Sequence, residues 1–305
     1  MRIGLSPPTP GSGSVDDVVA SVRQAADDGF ASYWTAQVFG LDALTALTIA
    51  GREVSGIELG TAVVPTYPRH PWVMAQQALT TQSAIGNRLA LGIGLSHKVV
   101  IEGMWGISFA KPVLHLREYL EVLVPLSKGE AVDFTGTTVT ARGALEVPGA
   151  TPFPVLVAAL GTQMLELTGR LADGTITWCV GPKTLAAHTI PTLSQAAEKA
   201  GRAVPRVVAM FPVGVSVDPA SAHERLARSL TIYGQLPSYR AMLDREGAAG
   251  AADIAILGTE DEITDRVGQL KDLGVTDLGA VPVGGNPEEV ERTGAILRHL
   301  QIEMA

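Results

Sequence analysis

Short apolar runs alternate with longer amphipathic segments along nearly the whole chain, and that rhythm predicts the fold. RIGLSP (2–7) reads as a first strand. SVDDVVASVRQAADDG (14–29) follows as a helix, with Ser14 as N-cap and Gly29 at its end. SYWTAQ (32–37) is a second strand, and LDALTALTIAGREV (41–54) the helix after it. The segment 56–97 repeats the unit. An apolar strand, IELGTAVVP, leads through the loop TYPRHP into the helix WVMAQQALTTQSAIG and a second strand, LALGIGLSH. PVLVAAL, TITWCV, VVAMFPVGVSVD and TDLGAVPV supply strands five to eight, with helices MLELTGRLADG, KTLAAHTIPTLSQAAEKAG, HERLARSLTIY, LPSYRAMLDREG and EDEITDRVGQLKDLG between them and PEEVERTGAILRHLQ closing the chain.

Eight β/α units predict an α/β protein of the (β/α)8 TIM barrel type. The same alternation serves a doubly wound sheet, but eight repeats with the last strand near the C-terminus favour closure. Between strands four and five lie an extra helix, LHLREYLEVLVPLSKG, and then VDFTGTTVTARGALE, which alternates apolar and polar residues around Gly136 as a small hairpin does. This insertion is either a lid or an elaborated connection. No composition shift marks a boundary, so residues 1–305 read as one domain.

Composition narrows the function. Apolar residues make up 46% and charged residues 18%, which fits an enzyme core and argues against disorder. With 23 basic and 31 acidic residues the formal charge is −8, so nothing draws the chain as a whole to nucleic acid or anionic lipid. Any phosphate must be held locally. One cysteine, Cys179, fits a reducing compartment, and MRIGLSPP lacks the apolar core of a signal peptide, so a cytoplasmic location is expected. No run of about 18 apolar residues suggests a membrane span.

Phosphate-loop, zinc-protease, paired-cysteine and serine-hydrolase signatures are missing, and the six histidines have no metal-ligand spacing, so no metal site is expected. No GxGxxG follows the first strand. The strand ends remain, the face where barrels keep their chemistry. After strand four, Gly94-Leu95-Ser96-His97-Lys98 offers a glycine for close approach of a flat ring, a hydroxyl and an imidazole. After strand five, Ala159-Leu160-Gly161-Thr162-Gln163-Met164 opens a helix whose first N–H groups suit an anion, although it also reads as an ordinary helix start with Thr162 as N-cap. Strand six ends in Trp178-Cys179-Val180-Gly181-Pro182-Lys183, where Trp178 either walls a pocket or belongs to the core. Cys179 has no partner that would make it a nucleophile. In the loop 66–71, Arg69 is a candidate for an anionic group or a solvated charge, and His115 packs along a helix.

Several of these segments resemble the bacterial luciferase-like superfamily of flavin- and deazaflavin-dependent oxidoreductases. GFASYWTAQVF resembles its second strand, ELGTAVVP its third, NRLALGIGLSH its fourth, and PVLVAALGTQMLELTGRLADGTITW its fifth and sixth with the phosphate turn between them. The resemblance implies a (β/α)8 barrel with a flat redox ring at the C-terminal face. It also implies a non-prolyl cis peptide at Ala62–Val63 behind the ring and a phosphate turn at Gly161, Thr162, Gln163 and Met164. Leu160 and the stretches Gly94 to His97 and Trp178-Cys179 complete the expected cofactor contacts. The overall pattern, with Ser96-His97-Lys98 after strand four, points to the coenzyme F420-dependent branch.

The chain departs from that family where related dehydrogenases carry an Asp-His pair after strand two; Gln37 and Val38 stand there instead. Gln37 and His97 are therefore the catalytic candidates, and acid–base chemistry on the dehydrogenase plan is not expected. The implied function is hydride transfer between the deazaflavin and a small organic substrate, reducing an activated C=C or C=N bond. The alternatives are a monooxygenase using flavin mononucleotide (FMN), a non-catalytic cofactor-binding paralogue, and an unrelated barrel lyase or isomerase. A homodimer is expected by resemblance, with no nucleic-acid or membrane partner.

Overall fold

The computed structural model describes residues 1–8 and 13–304. Its strands are β1 (Arg2–Leu5), β2 (Ser32–Thr35), β3 (Glu58–Thr61), β4 (Val64–Pro65), β5 (Leu89–Gly94), β6 (Val132–Thr135), β7 (Thr140–Gly143), β8 (Val155–Val157), β9 (Gly174–Trp178), β10 (Arg206–Val215), β11 (Ile256–Gly258) and β12 (Asp277–Pro282). Eight of them, in the order β1-β2-β3-β5-β8-β9-β10-β12, pair in parallel, and β12 pairs back to β1 with Arg2 opposite Asp277. The sheet is a closed (β/α)8 barrel, as the alternation predicts. β4 continues the line of β3 beyond a bulge and pairs with β5, and β11 extends the outer end of β10.

Alternation along each strand divides the core into two layers. Val155 and Val157 face the helices, while Leu156 joins Trp34, Ala90, Ile176, Val208, Met210 and Val281 inside the barrel. Trp34 is fully buried there, and two glycines make room for it. A Cβ on Gly60 would come within 2.2 Å of its ring, and one on Gly4 within 2.1 Å of Ser32 Oγ, which accepts the indole N–H at 2.8 Å. Below Trp34 the N-terminal strand ends are tied by charge. The Arg206 guanidinium donates to Asp277 at 2.6 and 2.8 Å and to Glu58 at 2.6 and 3.2 Å, and lies 5.4 Å from the Trp34 ring centre. Burial alone would lower the pKa of Arg206, but its bonds to Asp277 and Glu58 outweigh that and raise it. The barrel is thus plugged at its base.

The first helix, Val15–Asp27, begins in a capping box between Ser14 and Asp17, and Gly29 takes the left-handed conformation after it. The insertion after β5 contains the helix Pro112–Ser127 and the antiparallel pair β6–β7, with Val132 opposite Gly143. The hairpin's turn is latched to that helix by Glu118. Its carboxylate accepts from the Thr137, Thr138 and Val139 N–H groups and the Thr138 hydroxyl at 2.6–3.2 Å. A Cβ on Gly136 would fall 2.5 Å from that carboxylate, so only glycine fits the turn.

Candidate active site

The mouth takes its shape from the break in the third strand. Beyond Thr61 the Ala62–Val63 peptide is cis, and the chain bulges before resuming as β4. The bulge is pinned on three sides. Thr61 Oγ1 donates to Gly92 O at 2.8 Å and accepts from Gly92 N at 2.9 Å, Ala62 N–H donates to Thr35 O at 2.8 Å, and Gln37 N–H donates to Val63 O at 3.1 Å. Gly94 lies beside it, where a Cβ would come within 2.7 Å of the Val63 side chain. Ala62, Val63 and Gly94 therefore form a smooth, close-set surface at the bottom of a cavity of about 1100 Å³. This is slightly above the usual range for small-molecule sites. Leu160, Gly161 and Met164 line one side and Trp178 another. Two segments roof it: residues 95–112 after β5, and residues 232–239 after β10.

The turn after β8 leaves the start of its helix without a side-chain cap. Gly161 is the N-cap of the helix Thr162–Leu171, which corrects the reading of Thr162 as the cap, and no side chain caps it. Leu165 N–H is the first to bond back, to Gly161 O at 3.0 Å, so the N–H groups of Thr162, Gln163 and Met164 stay free. Nothing lies within 4 Å of where a Gly161 Cβ would stand. Behind the turn, His188 holds Leu160 O at 2.9 Å. The corresponding turn after β9 is already filled, because Glu246 accepts from the N–H groups of Lys183 (3.1 Å) and Thr184 (2.8 Å).

Of the residues singled out in the sequence, Ala62, Val63, Gly94, Leu95, Ser96, His97, Leu160, Gly161, Met164 and Trp178 meet around the cavity. Ser96 holds a left-handed φ of 59°, which turns the chain from β5 into the short helix Lys98–Ile101. His97 stands at the start of that helix, half-buried, its ring centre 5.6 Å from that of Tyr239, and burial lowers its pKa. The Trp178 indole nitrogen is buried without a partner. A flat apolar floor, an unpaired donor in the wall and free N–H groups at one end fit a tricyclic ring with a phosphate tail. Among the described residues no group of histidines, cysteines and carboxylates could hold a metal.

Other residues fall elsewhere. Thr162 and Gln163 are exposed beside the cavity and do not line it, so only their backbone N–H groups are available there. Cys179 is not a cavity residue. Its left-handed backbone (φ 56°) turns the thiol into the core, where it is 2% exposed and burial pushes its pKa up. Gln37 also lies outside the cavity lining. With its amide oxygen accepting from Arg69 at 2.9 Å and its nitrogen donating to Asp42 at 3.2 Å, it is committed to the Arg69–Asp42 ion pair. That pair likewise removes Arg69 as a free anion site. His115 is buried, bonded to Thr66 Oγ1 at 3.0 Å and stacked on Tyr67 at 4.0 Å, and burial holds its pKa down to about 4. Tyr67 stacks in turn on Phe109, so this loop backs the cavity wall. No hairpin residue lines the cavity, which makes the insertion's hairpin an elaborated connection and not a lid. Sequence reasoning missed Tyr233 and Tyr239. They pack edge to face at 5.0 Å in the segment after β10, where Tyr239 lines the cavity, and their only signal was two aromatics in an uncharged stretch between helices.

A barrel plugged at its base, with an apolar ring-sized cavity and an uncapped helix start at its mouth, defines a small-molecule-binding enzyme scaffold of the TIM-barrel class. The chain belongs to the luciferase-like monooxygenase family, whose model matches residues 2–277. It is 26% identical over 297 residues to the 5,10-methylenetetrahydromethanopterin reductase of Methanolobus tindarius, covering 88% of this chain and 90% of that one. Among solved structures, the coenzyme F420-dependent tetrahydromethanopterin reductase of Methanopyrus kandleri superposes with a TM-score of 0.80 at 21% identity, covering 98% of this chain and 97% of that one. The oxygenating constituent of 3,6-diketocamphane monooxygenase of Pseudomonas putida, in complex with FMN, superposes with a TM-score of 0.76 at 17% identity, covering 98% and 96%.

Proposed function

We propose that this chain is a cytoplasmic F420-dependent oxidoreductase that reduces an activated C=C or C=N bond of a small organic substrate. The observation that carries the reading is the continuity of the smooth apolar floor at Ala62, Val63 and Gly94 with the uncapped turn at Gly161. One end suits a flat ring and the other a phosphate. The bound deazaflavin supplies the hydride, and the protein supplies position, shielding and a proton. Ala62 and Val63 support the ring from below. The N–H groups of Thr162, Gln163 and Met164 hold the phosphate. The segments 95–112 and 232–239 exclude water from the reacting atoms.

His97 is the imidazole among the cavity's lining residues, three positions beyond the end of β5, and it is the general acid in this reading. Gln37 and Val38 after β2 offer no base, and the Asp42 carboxylate beyond them is paired with Arg69, so a reduction that needs one proton fits better than an alcohol oxidation that needs a base. The fold likeness to the FMN-bound monooxygenase favours one second reading, an FMN-dependent oxygenase.

Titration of the purified protein with F420 and with FMN, followed by fluorescence quenching, separates the two. Saturable binding of F420, tighter than that of FMN, is expected, together with oxidation of the reduced deazaflavin by enones or imines without oxygen uptake. Binding of FMN alone, with oxygen consumption, replaces this reading with the second. Binding of neither removes both.

A further inference from the structure

The half of the cavity above its floor is almost free of charge. Among the described residues, Lys98 and Glu102 are its only formally charged lining residues; they pair with each other at 3.6 Å at the rim, with the Lys98 side chain 72% exposed. Burial holds His97 toward its neutral form. Arg69 is bound to Asp42, and Glu246 is turned to the helix start at Lys183 and Thr184. In place of charges, Trp178, Tyr239 and His97 line this wall, and Tyr233, outside the lining, packs between Trp178 and Tyr239. Trp178 meets Tyr233 at 6.0 Å, Tyr233 meets Tyr239 at 5.0 Å, and Tyr239 meets His97 at 5.6 Å. Several polar groups here make no hydrogen bond among the described residues. The Trp178 indole N–H and Thr177 Oγ1 are buried without a partner, and the Tyr233 and Tyr239 hydroxyls and the His97 ring are likewise unpaired. Of the two tyrosines only Tyr239 lines the cavity, so its hydroxyl is the phenolic donor a ligand there can reach.

We infer that the substrate is a neutral, largely apolar molecule carrying a carbonyl-type acceptor, and that the Tyr239 hydroxyl is the specificity-determining group that takes that acceptor. The inference rests on the proposed oxidoreductase reading and narrows its substrate class. An aromatic wall rewards apolar area, and an unpaired donor in it rejects a ligand that offers no acceptor. A charged group carried past the rim meets no counter-ion. Tyr239 acts here on recognition, while proton delivery stays with His97.

The test uses three probes of one shape: benzalacetone, its para-carboxylate, and β-methylstyrene, which lacks the carbonyl. Calorimetric titration is run on the protein alone and on the protein saturated with oxidised deazaflavin, so that no turnover is read. Benzalacetone is expected to bind, and the carboxylate to bind about 100-fold more weakly. Tyr239→Phe is expected to weaken benzalacetone about 5- to 20-fold and leave β-methylstyrene unchanged. Equal or tighter binding of the carboxylate overturns the inference, as does an equal loss for both neutral probes in the Phe variant. Binding of no neutral probe to either form overturns it too, while saturable deazaflavin binding in the same experiment leaves the oxidoreductase reading standing. Failure of the deazaflavin to bind removes that reading instead, and charge discrimination is then judged on the protein alone.

Discussion

Replacing Glu118 by glutamine asks how much one buried carboxylate contributes to holding the insertion onto the barrel. The carboxylate receives four donors. Thr137 N–H reaches Oε1 at 2.8 Å, and Thr138 N–H, Thr138 Oγ1 and Val139 N–H reach Oε2 at 2.6, 2.6 and 3.2 Å. A glutamine keeps its oxygen on the side with three donors and turns its NH2 toward Thr137 N–H. One bond is lost, two donors face each other in a buried site, and the other three bonds lose their charge. The lost bond alone contributes about 1.5–3 kcal/mol, and the charge removed from the other three, which share one carboxylate and so do not add in full, brings the weakening of the latch to about 2–4 kcal/mol. That corresponds to amide exchange at Thr137, Thr138 and Val139 faster by about 30- to 1,000-fold at neutral pH, read by hydrogen–deuterium exchange. The acid response has a defined sign. Burial would raise the Glu118 pKa, but hydrogen bonds from Thr138, Thr137 and Val139 outweigh it and hold it down to about 2. A carboxylate depressed on folding adds stability above its unfolded value, near 4.5, and loses it as pH falls toward about 2. The gap between wild type and Glu118→Gln should therefore be constant at neutral pH and close across that acid window. Unchanged exchange at residues 137–139, or a gap that widens in acid, would refute the reasoning.

Gly161→Asp places a negative charge beside free N–H groups where the turn has room for a side chain, so cofactor affinity should fall by about 100-fold with the melting temperature retained. Gly161→Ala should bind normally in the same fluorescence titration, and an equal loss in both variants would remove the phosphate role. Gly60→Ala drives a methyl into the Trp34 ring and should destabilise the barrel by about 1–3 kcal/mol in urea denaturation; wild-type stability would show that the core can shift freely there. His97→Ala should slow turnover about 10²–10⁴-fold with little change in cofactor affinity. In the wild type, kcat/KM should fall as pH rises through a pKa below 6.5, because burial lowers that of His97. A flat profile with unchanged turnover would assign the proton to another source.

The barrel was legible in the sequence because each buried parallel strand is a short apolar run and each helix carries its own start and stop signals. Ser14 and Gly29 bound the first helix as read. The meeting of Gly94, His97, Gly161 and Trp178 at one mouth follows from the rule that strand ends share a face. What stayed hidden depends on contacts made far along the chain. Gln37 occupies a position that suggests catalysis, but its amide is claimed by Arg69, 32 positions away. Cys179 sits one residue from a cavity residue, yet a left-handed turn sends it into the core. Arg206 finds Glu58 only across a closed barrel, 148 positions apart, so no local pattern announces the plug. Tyr239 lies near the start of the helix Pro237–Glu246, and nothing local says that this end folds back over the mouth of the barrel.

That plug separates two kinds of duty within one fold. The ring of Arg206, Glu58 and Asp277 with Trp34 above it closes the barrel at the end opposite the binding groove. Loop exchange between relatives of the same architecture thus has a natural cutting plane. The stretches 98–112 and 232–239 can be swapped to retune selectivity, while the ionic keystone beneath stays intact and goes on holding the cylinder shut.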